Sequence, residues 1–144
     1  MTNDLLIARV AGERIALAAI EVQSVIELGE IVPVPLAPMP VTGLTSQRSR
    51  TLTVIDVAGA MDLPSAGLSG RFAVVVELEG VGYALAVDAV ESVIPALSEP
   101  RPIKARLSPG RARSAVGMVD TSLGTVLQVD LTRLVLGDEQ QKAA

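Results

Sequence analysis

An internal repeat is the sequence feature that most constrains the fold. Residues 7–26 align with residues 75–94 at an offset of 68 positions, and eight of the 20 aligned pairs are identical. A second correspondence, between residues 51–57 and 125–131, follows at an offset of 74. The order of the matches is preserved, and the larger offset is what a short insertion would produce. Self-similarity of this kind indicates two related structural units.

The repeat also sets the predicted domain organisation. We predict one domain over residues 1–136, made of two related barrel halves at about 5–61 and 72–136, and a polar tail at 137–144. A chain of 144 residues suffices for one domain with a proper core. Shared Gly, Ser and Asp positions argue against a similarity that reflects only the abundance of Val, Ala and Leu.

Each unit is predicted to consist mainly of short strands. Short apolar runs flank Gly12 in the first unit and Gly80 in the second, which is typical of a hairpin whose turn needs positive φ. A further pair of strands is predicted in each unit, at residues 41–55 and 115–129. Many short strands with glycine turns favour a mostly β fold of small barrels. Two such barrels are expected to pack together, because neither would bury a sufficient core alone.

Short helices are predicted at two kinds of position. The spacing of apolar residues predicts one or two helical turns at residues 19–26 and 88–94, the second with Asp88 as its N-cap. A further short helix is expected to follow Asp56 in the first unit and Asp130 in the second. These two carboxylates occupy equivalent repeat positions, so they are predicted to be helix N-caps in separate barrels and not a catalytic pair.

The residue types that are missing exclude most catalytic functions. The chain has no Cys and no His, so it lacks thiolate nucleophiles, zinc-finger ligands and the commonest general base. One Tyr and one Phe do not make a stacking platform for single-stranded nucleic acid, and a net charge of −4 gives no broad basic field. We therefore predict a binding module that is not an enzyme and uses no cofactor or metal.

The apolar composition, with 49% hydrophobic residues and a mean hydropathy of +0.48, excludes intrinsic disorder and raises the question of a membrane span. The longest stretch without a charge, residues 31–47, contains four prolines and is therefore not a spanning helix. The N-terminus has no basic signal-peptide region, so we predict a cytoplasmic protein. The Pro-rich residues 31–40 are predicted to be a rigid connection that protects an edge strand, with a ligand for SH3-type domains as the alternative.

Several short motifs follow one another in a fixed order over about residues 5–136. They are Ala19-Ile20-Glu21-Val22-Gln23-Ser24-Val25, Val32-Pro33-Val34-Pro35, Gly43-Leu44 with Arg48, Val54-Ile55-Asp56-Val57, Val87-Asp88-Ala89-Val90-Glu91-Ser92-Val93, and the closing residues 126–134. Their order and spacing resemble the CheW-like domain of bacterial chemosensory adaptors. The resemblance implies two five-stranded SH3-like barrels packed about a shared apolar core. It also implies a non-enzymatic scaffold that binds the regulatory domain of a CheA-type histidine kinase and the cytoplasmic tip of chemoreceptors.

The resemblance also suggests where partners bind. Val22 matches a family position at the receptor-contacting groove, and Val25 and Ile26 lie beside it; the alternative is that all three belong to the core. Arg48 matches an Arg near the partner-binding surface, where a guanidinium suits carboxylates; the alternative is a solvated turn residue. The family usually has Gly after this Arg and Pro a few residues later, whereas this chain has Ser49 and Thr53.

Three further interpretations complete the sequence analysis. The basic segment at residues 101–113 is either an electrostatic patch for an acidic partner or, as we predict, a solvated linker loop. A barrel that binds a small apolar molecule or another signalling partner is the alternative to the adaptor, and the small-molecule reading predicts an enclosed pocket. A hydrolase that uses Ser and Asp is disfavoured because no Gly-x-Ser-x-Gly motif occurs.

Overall fold

The computed structural model describes residues 3–37, 41–64, 71–103 and 106–136. The predicted tail at 137–144, Pro38, Pro40 and Lys104 lie outside the described residues. Within those ranges the strands are β1 Asp4–Val10, β2 Glu13–Ala18, β3 Ser24–Glu27, β4 Val32–Pro33, β5 Val41–Gln47, β6 Arg50–Asp56, β7 Phe72–Leu78, β8 Val81–Val87, β9 Ala89–Pro95, β10 Ala115–Thr121 and β11 Gly124–Val129. The α-helices there are α1 Val57–Ala60, α2 Pro109–Ser114 and α3 Leu131–Leu136.

The strands form two sheets, which we name the first and second barrel. The first barrel has the strand order β10-β11-β2-β1-β9, and the second has the order β3-β7-β8-β6-β5-β4. The mostly β fold with short helices is therefore confirmed. The second barrel differs from the expected five strands by the two-residue strand β4, which pairs with β5.

Each barrel combines strands from both repeat units. The first barrel joins the hairpin β1-β2 of the first unit to three strands of the second unit, and the second barrel does the reverse. The joining strands run parallel, with Leu127 opposite Ile15 in one barrel and Thr53 opposite Tyr83 in the other. These two pairs are equivalent under the repeat offsets, so the exchange is symmetric. The second barrel takes the consecutive strands β3 to β8, and the first barrel takes the strands before and after them.

The predicted glycine hairpins are confirmed. In the β1-β2 turn Ala11 and Gly12 have φ of 51° and 82°, and in the β7-β8 turn Glu79 and Gly80 have φ of 52° and 80°. Two successive residues with positive φ match the twist of the flanking strands, which is why such turns favour Gly. The repeat thus preserves the turn geometry of its opening hairpin.

The predicted helical turns at residues 19–26 and 88–94 are wrong for the most part. A 3₁₀ turn spans Ala19–Glu21, but Ser24–Glu27 is strand β3, paired with β7, and the second segment is strand β9, paired with β1. Short runs rich in Val and Ile fit both periods, and strand pairing decides between them. Asp88 caps no helix, because it precedes β9, accepts a hydrogen bond from Ala11 N at 2.7 Å and forms an ion pair with Arg71.

The two equivalent aspartates differ in their capping role. Asp130 Oδ1 accepts a hydrogen bond from Arg133 N at 3.1 Å at the start of α3, as predicted for an N-cap. Asp56 precedes α1 but makes no side-chain capping bond, and its Oδ1 is buried without a hydrogen-bond partner among the described residues. Asp56 therefore occupies the predicted N-cap position of α1, but its carboxylate makes no capping hydrogen bond.

Buried apolar side chains form three clusters. One fills the first barrel, around Ile7 and Val119, and another fills the second barrel, around Leu52 and Val54. The largest lies between the barrels and takes residues from both sheets and from α1 and α3. It corresponds to the shared apolar core that the family resemblance implies.

Gly43 in β5 and Gly117 in β10 are equivalent in the repeat. Close packing against a neighbouring segment explains why both positions are glycine. A Cβ at Gly43 would lie 2.4 Å from the backbone oxygen of Val32, and one at Gly117 would lie 2.6 Å from that of Arg101. In both barrels a further chain segment therefore lies close against the strand that contains this glycine. It forms β4 in the second barrel and a single bridge from Arg101 to Met118 in the first.

Candidate functional site

Arg48 lies in the two-residue turn between β5 and β6. It is exposed, and within the described part of the chain the structure shows no hydrogen bond or ion pair to its guanidinium. Arg48 and Ser49 have φ of 50° and 66°, so both non-glycine residues adopt the left-handed conformation. The backbone therefore presents a free guanidinium at the tip of a strained, well-defined turn.

Replacing Ser49 with Gly is expected to stabilise the protein. A non-glycine residue in the left-handed region costs roughly 1–2 kcal/mol, so S49G should raise the free energy of unfolding by about 1 kcal/mol after the extra flexibility of Gly in the unfolded chain is subtracted. Denaturant titration measures this difference. The matched control is S46G in strand β5, which should lower the free energy of unfolding. A destabilised S49G would contradict the strain.

The three predicted apolar contact residues lie on one segment but differ in burial. Val22 follows the 3₁₀ turn and is half-buried against the shared core, while Ile26 is half-buried against the interior of the second barrel. Val25 lies between them on edge strand β3 and is 43% exposed. Val22 and Ile26 are thus partly core residues, and Val25 is the one most available to a partner.

Sequence reasoning missed the exposure of Ile20. This side chain lies in the 3₁₀ turn and is 96% exposed, although the apolar spacing suggested a buried helical face. Partial burial is the main cause that raises the pKa of its neighbour Glu21, and the negative charge of Asp130 is the smaller cause. The turn therefore lies close to the start of α3 and presents one fully exposed apolar side chain beside β3.

Arg50 brings the Arg48 turn next to the segment that carries Val22. Its Nη1 donates to Gln23 Oε1 at 3.1 Å and its Nη2 donates to Glu77 Oε1 at 2.9 Å. The guanidinium passes directly over Gly82, where a Cβ would lie 2.7 Å from Nη2. The candidate residues thus lie on neighbouring segments, although β3 and β5 are separated by three strands in the sheet order. No sequence signal pointed to Arg50, because its partners are distant along the chain.

The first barrel has an ion cluster at the equivalent place. Arg14 Nε lies 3.0 and 3.3 Å from the two carboxylate oxygens of Glu91, and Arg9 Nη1 lies 3.4 Å from one of them. The hydrogen bond from Arg14 is the main cause that lowers the pKa of Glu91. Glu91 is the repeat equivalent of Gln23, and both accept from arginine side chains. The arginines are on β1 and β2 in the first barrel, whereas Arg50 is on β6 in the second.

The basic segment at residues 101–113 is only in part the solvated linker loop that the sequence suggested, and its alternative as a patch for an acidic partner stays a prediction. It contains helix α2, which the sequence analysis did not predict, although Ser108 before Pro109 is a recognisable start signal. Arg101 binds both carboxylate oxygens of Asp120, at 2.5 and 2.9 Å, and Arg111 lies 3.2 Å from Glu13. These two charges are paired within the chain, so the predicted solvated linker loop is wrong for them.

The Arg101–Asp120 pair predicts a measurable acid response. The hydrogen bond from Arg101 is the main cause that lowers the pKa of Asp120 from its ordinary value of 3.8 to about 2. The stabilisation should be complete above about pH 4 and should be lost as the pH falls towards 2. Carboxyl NMR titration should find the low pKa, and R101Q should return it towards 3.8 while R106Q leaves it unchanged. An unchanged pKa in R101Q would refute the pairing.

Neither of two clefts that described residues border is an enclosed apolar pocket. A cleft of about 400 Å³ beside the first barrel is lined by Arg9, Arg14 and Arg111 together with apolar residues. Another, of about 420 Å³, lies against β4 and β5 and is lined by Glu30, by hydroxyl side chains and by the apolar Val32 and Leu44. Among the described ranges the structure shows no cluster of three or more acidic residues arranged to hold a metal ion. No helix in these ranges is long and apolar enough to cross a membrane.

Comparison with known proteins agrees with this architecture. The chain is similar over 93% of its length to the crystal structure of the scaffolding protein TtCheW from Thermoanaerobacter tengcongensis, with a TM-score of 0.78 and 25% sequence identity, and the match covers 88% of that chain. No curated protein matches the sequence. The family model of the CheW-like domain matches residues 4–135. The chain therefore belongs to the CheW-like domain family.

Proposed function

We propose that this protein is a non-enzymatic cytoplasmic adaptor that couples chemoreceptors to a CheA-type histidine kinase. The observation that carries the proposal is the family match, which spans nearly the whole chain and is supported by the likeness to a scaffolding protein. The absence of Cys and His from the sequence agrees with a binding role. In this proposal the regulatory domain of the kinase and the cytoplasmic tip of a receptor are the two partners.

The proposed contact surface combines a free charge with apolar side chains. Arg48 offers an unpaired guanidinium for carboxylates of a partner. Val25 offers exposed apolar area on an edge strand, and Arg50 links the residues before that strand to β6, while Val22 and Ile26 pack towards the core. A polar group at the rim of an apolar contact is typical of protein interfaces, and it gives orientation as well as affinity.

The charge reversal R48E tests the proposal. Because Arg48 has no partner on the described chain, R48E should leave the melting temperature nearly unchanged. It should weaken binding to the kinase regulatory domain or the receptor tip about tenfold, since a like charge then opposes the partner's carboxylates. Calorimetric titration of each partner measures the affinity, with R106E as the control. Unchanged affinity for both partners would exclude Arg48 from the surface, and no binding by the unmodified chain at high micromolar concentration would count against the adaptor.

The alternative of a barrel that binds an apolar small molecule finds less support. The interiors of the two barrels are filled by side chains such as Leu52 in the second barrel and Ile7 in the first, both at most 1% exposed. The clefts described above are open, and charged or hydroxyl side chains lie beside the apolar ones in their linings. A ligand-binding pocket for an apolar molecule is instead concave and mainly apolar. The adaptor is therefore the function that the geometry favours.

A further inference from the structure

We infer that Arg50 is a positioning residue for partner binding, which fixes the Arg48 turn against the segment carrying Val22 and Val25. The inference rests on the proposed function, and it adds a residue that the sequence motifs did not mark. Arg50 begins strand β6, two residues after Arg48. Its guanidinium joins two other elements, Gln23 before β3 and Glu77 near the end of β7.

The side chain of Arg50 adds a link to the segment of β3, which is a short strand at the edge of its sheet. Strand β3 has four residues, lies at the edge of the second barrel and pairs only with β7. The Arg48 turn belongs to β5 and β6, on the far side of β7 and β8. The hydrogen bond from Arg50 Nη1 to Gln23 Oε1, at 3.1 Å, is a direct side-chain link between the turn and the β3 segment. Through it, the strand that begins two residues after Arg48 is tied to the segment that precedes β3 and Val25.

The surroundings of Arg50 show that its position is specified. Gly82 leaves the space that the guanidinium occupies, because a Cβ there would lie 2.7 Å from Nη2 and 3.0 Å from Cζ. Glu77, directly opposite Gly82 in the β7-β8 ladder, accepts from the same Nη2 at 2.9 Å. A planar guanidinium can satisfy Gln23 and Glu77 together, whereas the single ammonium of Lys cannot reproduce that fork. The arginine therefore acts as a clamp with two defined acceptors.

The experiment compares the affinities for the kinase regulatory domain and for the receptor tip in R50Q, R50K and R48Q, with R106Q as the matched control. Loss of the clamp leaves the contact groups in place but no longer aligned, so R50Q should weaken binding about fivefold to tenfold, and R50K should weaken it less. The double variant R48Q/R50Q gives the decisive readout. If Arg50 acts by placing Arg48, the R50Q substitution should weaken binding much less in the R48Q background than in the unmodified chain. A purely structural role would give the same factor in both backgrounds and would overturn the inference.

A partner-free measurement separates this inference from the proposed function. Amide NMR shifts of Ser49 and of Ser24 and Val25 should change together in R50Q and should stay unchanged in R106Q, because Arg50 links the two segments directly. Shifts confined to the Arg48 turn would overturn the positioning role. An unmodified chain that binds neither partner would overturn the proposed function and the binding part of the inference. Binding that R50Q leaves intact would overturn the inference alone.

Discussion

Gly43→Ala should destabilise the protein by about 3 kcal/mol, a large effect for the addition of one methyl group. The new Cβ would lie 2.4 Å from the backbone oxygen of Val32 and 2.9 Å from the side chain of Ile31. Strand β4 would have to move away from β5 and lose its ladder pairing, because a backbone oxygen has no rotamer with which to yield. The smaller gain from a stiffer unfolded chain, about 0.4–1 kcal/mol, does not offset this cost.

Denaturant titration of G43A measures this cost, and the chain offers a matched control. Gly29 has nothing within 4 Å of the position of its missing Cβ, so G29A should be close to neutral. Gly117→Ala should behave like G43A, because its Cβ would lie 2.6 Å from the oxygen of Arg101. A neutral G43A would show that β4 does not hold its close approach in solution.

Truncation of the shared core should weaken both barrels at once. Leu17 in β2 and Leu85 in β8 are repeat equivalents and are 1% and 0% exposed in the cluster between the barrels. Either change to Ala should lower the free energy of unfolding by about 3 kcal/mol, because it removes buried methyl groups and leaves a cavity. The melting temperature should fall by about 10 °C for a chain of this size. L97A is the control, since Leu97 is 63% exposed.

The core shared by the two barrels makes the number of unfolding transitions as informative as their midpoint. The largest apolar cluster takes side chains from both sheets, so the unfolding of one barrel would expose core residues of the other. Calorimetry should therefore show one cooperative transition for the unmodified chain, and L17A and L85A should each move that whole transition. Two separable transitions, with L85A moving only one of them, would contradict the coupling of the two barrels through their shared core.

Several local features were predictable because their causes lie in neighbouring residues. Gly12 and Gly80 marked hairpin turns correctly, since a positive φ is a local demand on the backbone. The β5-β6 and β10-β11 hairpins also appeared at the expected places. The segments at 19–26 and 88–94 were misassigned, because four to seven residues rich in Val and Ile fit either period until a neighbouring strand pairs with them.

The candidate site was predictable only in part. The motif placed Arg48 between two strands and Val22 at a contact groove, but burial divided the apolar residues: Val25 is accessible while Val22 and Ile26 are partly core. Arg50 looked like an ordinary strand residue. Its role depends on Gln23 and Glu77, each 27 positions away in the chain. No local pattern encodes such a contact.

The amino-acid sequence by itself determined the repeat, the hairpin turns and the family, because these depend on residue identity and spacing along the chain. The tertiary structure alone decided which strands share a barrel, since a hairpin has the same local sequence whichever sheet it joins. It also decided which charges are paired. Arg101 and Arg111 find carboxylates across the fold, whereas Arg48 finds none in the described chain. Long-range packing controls both outcomes, and local spacing carries no record of it.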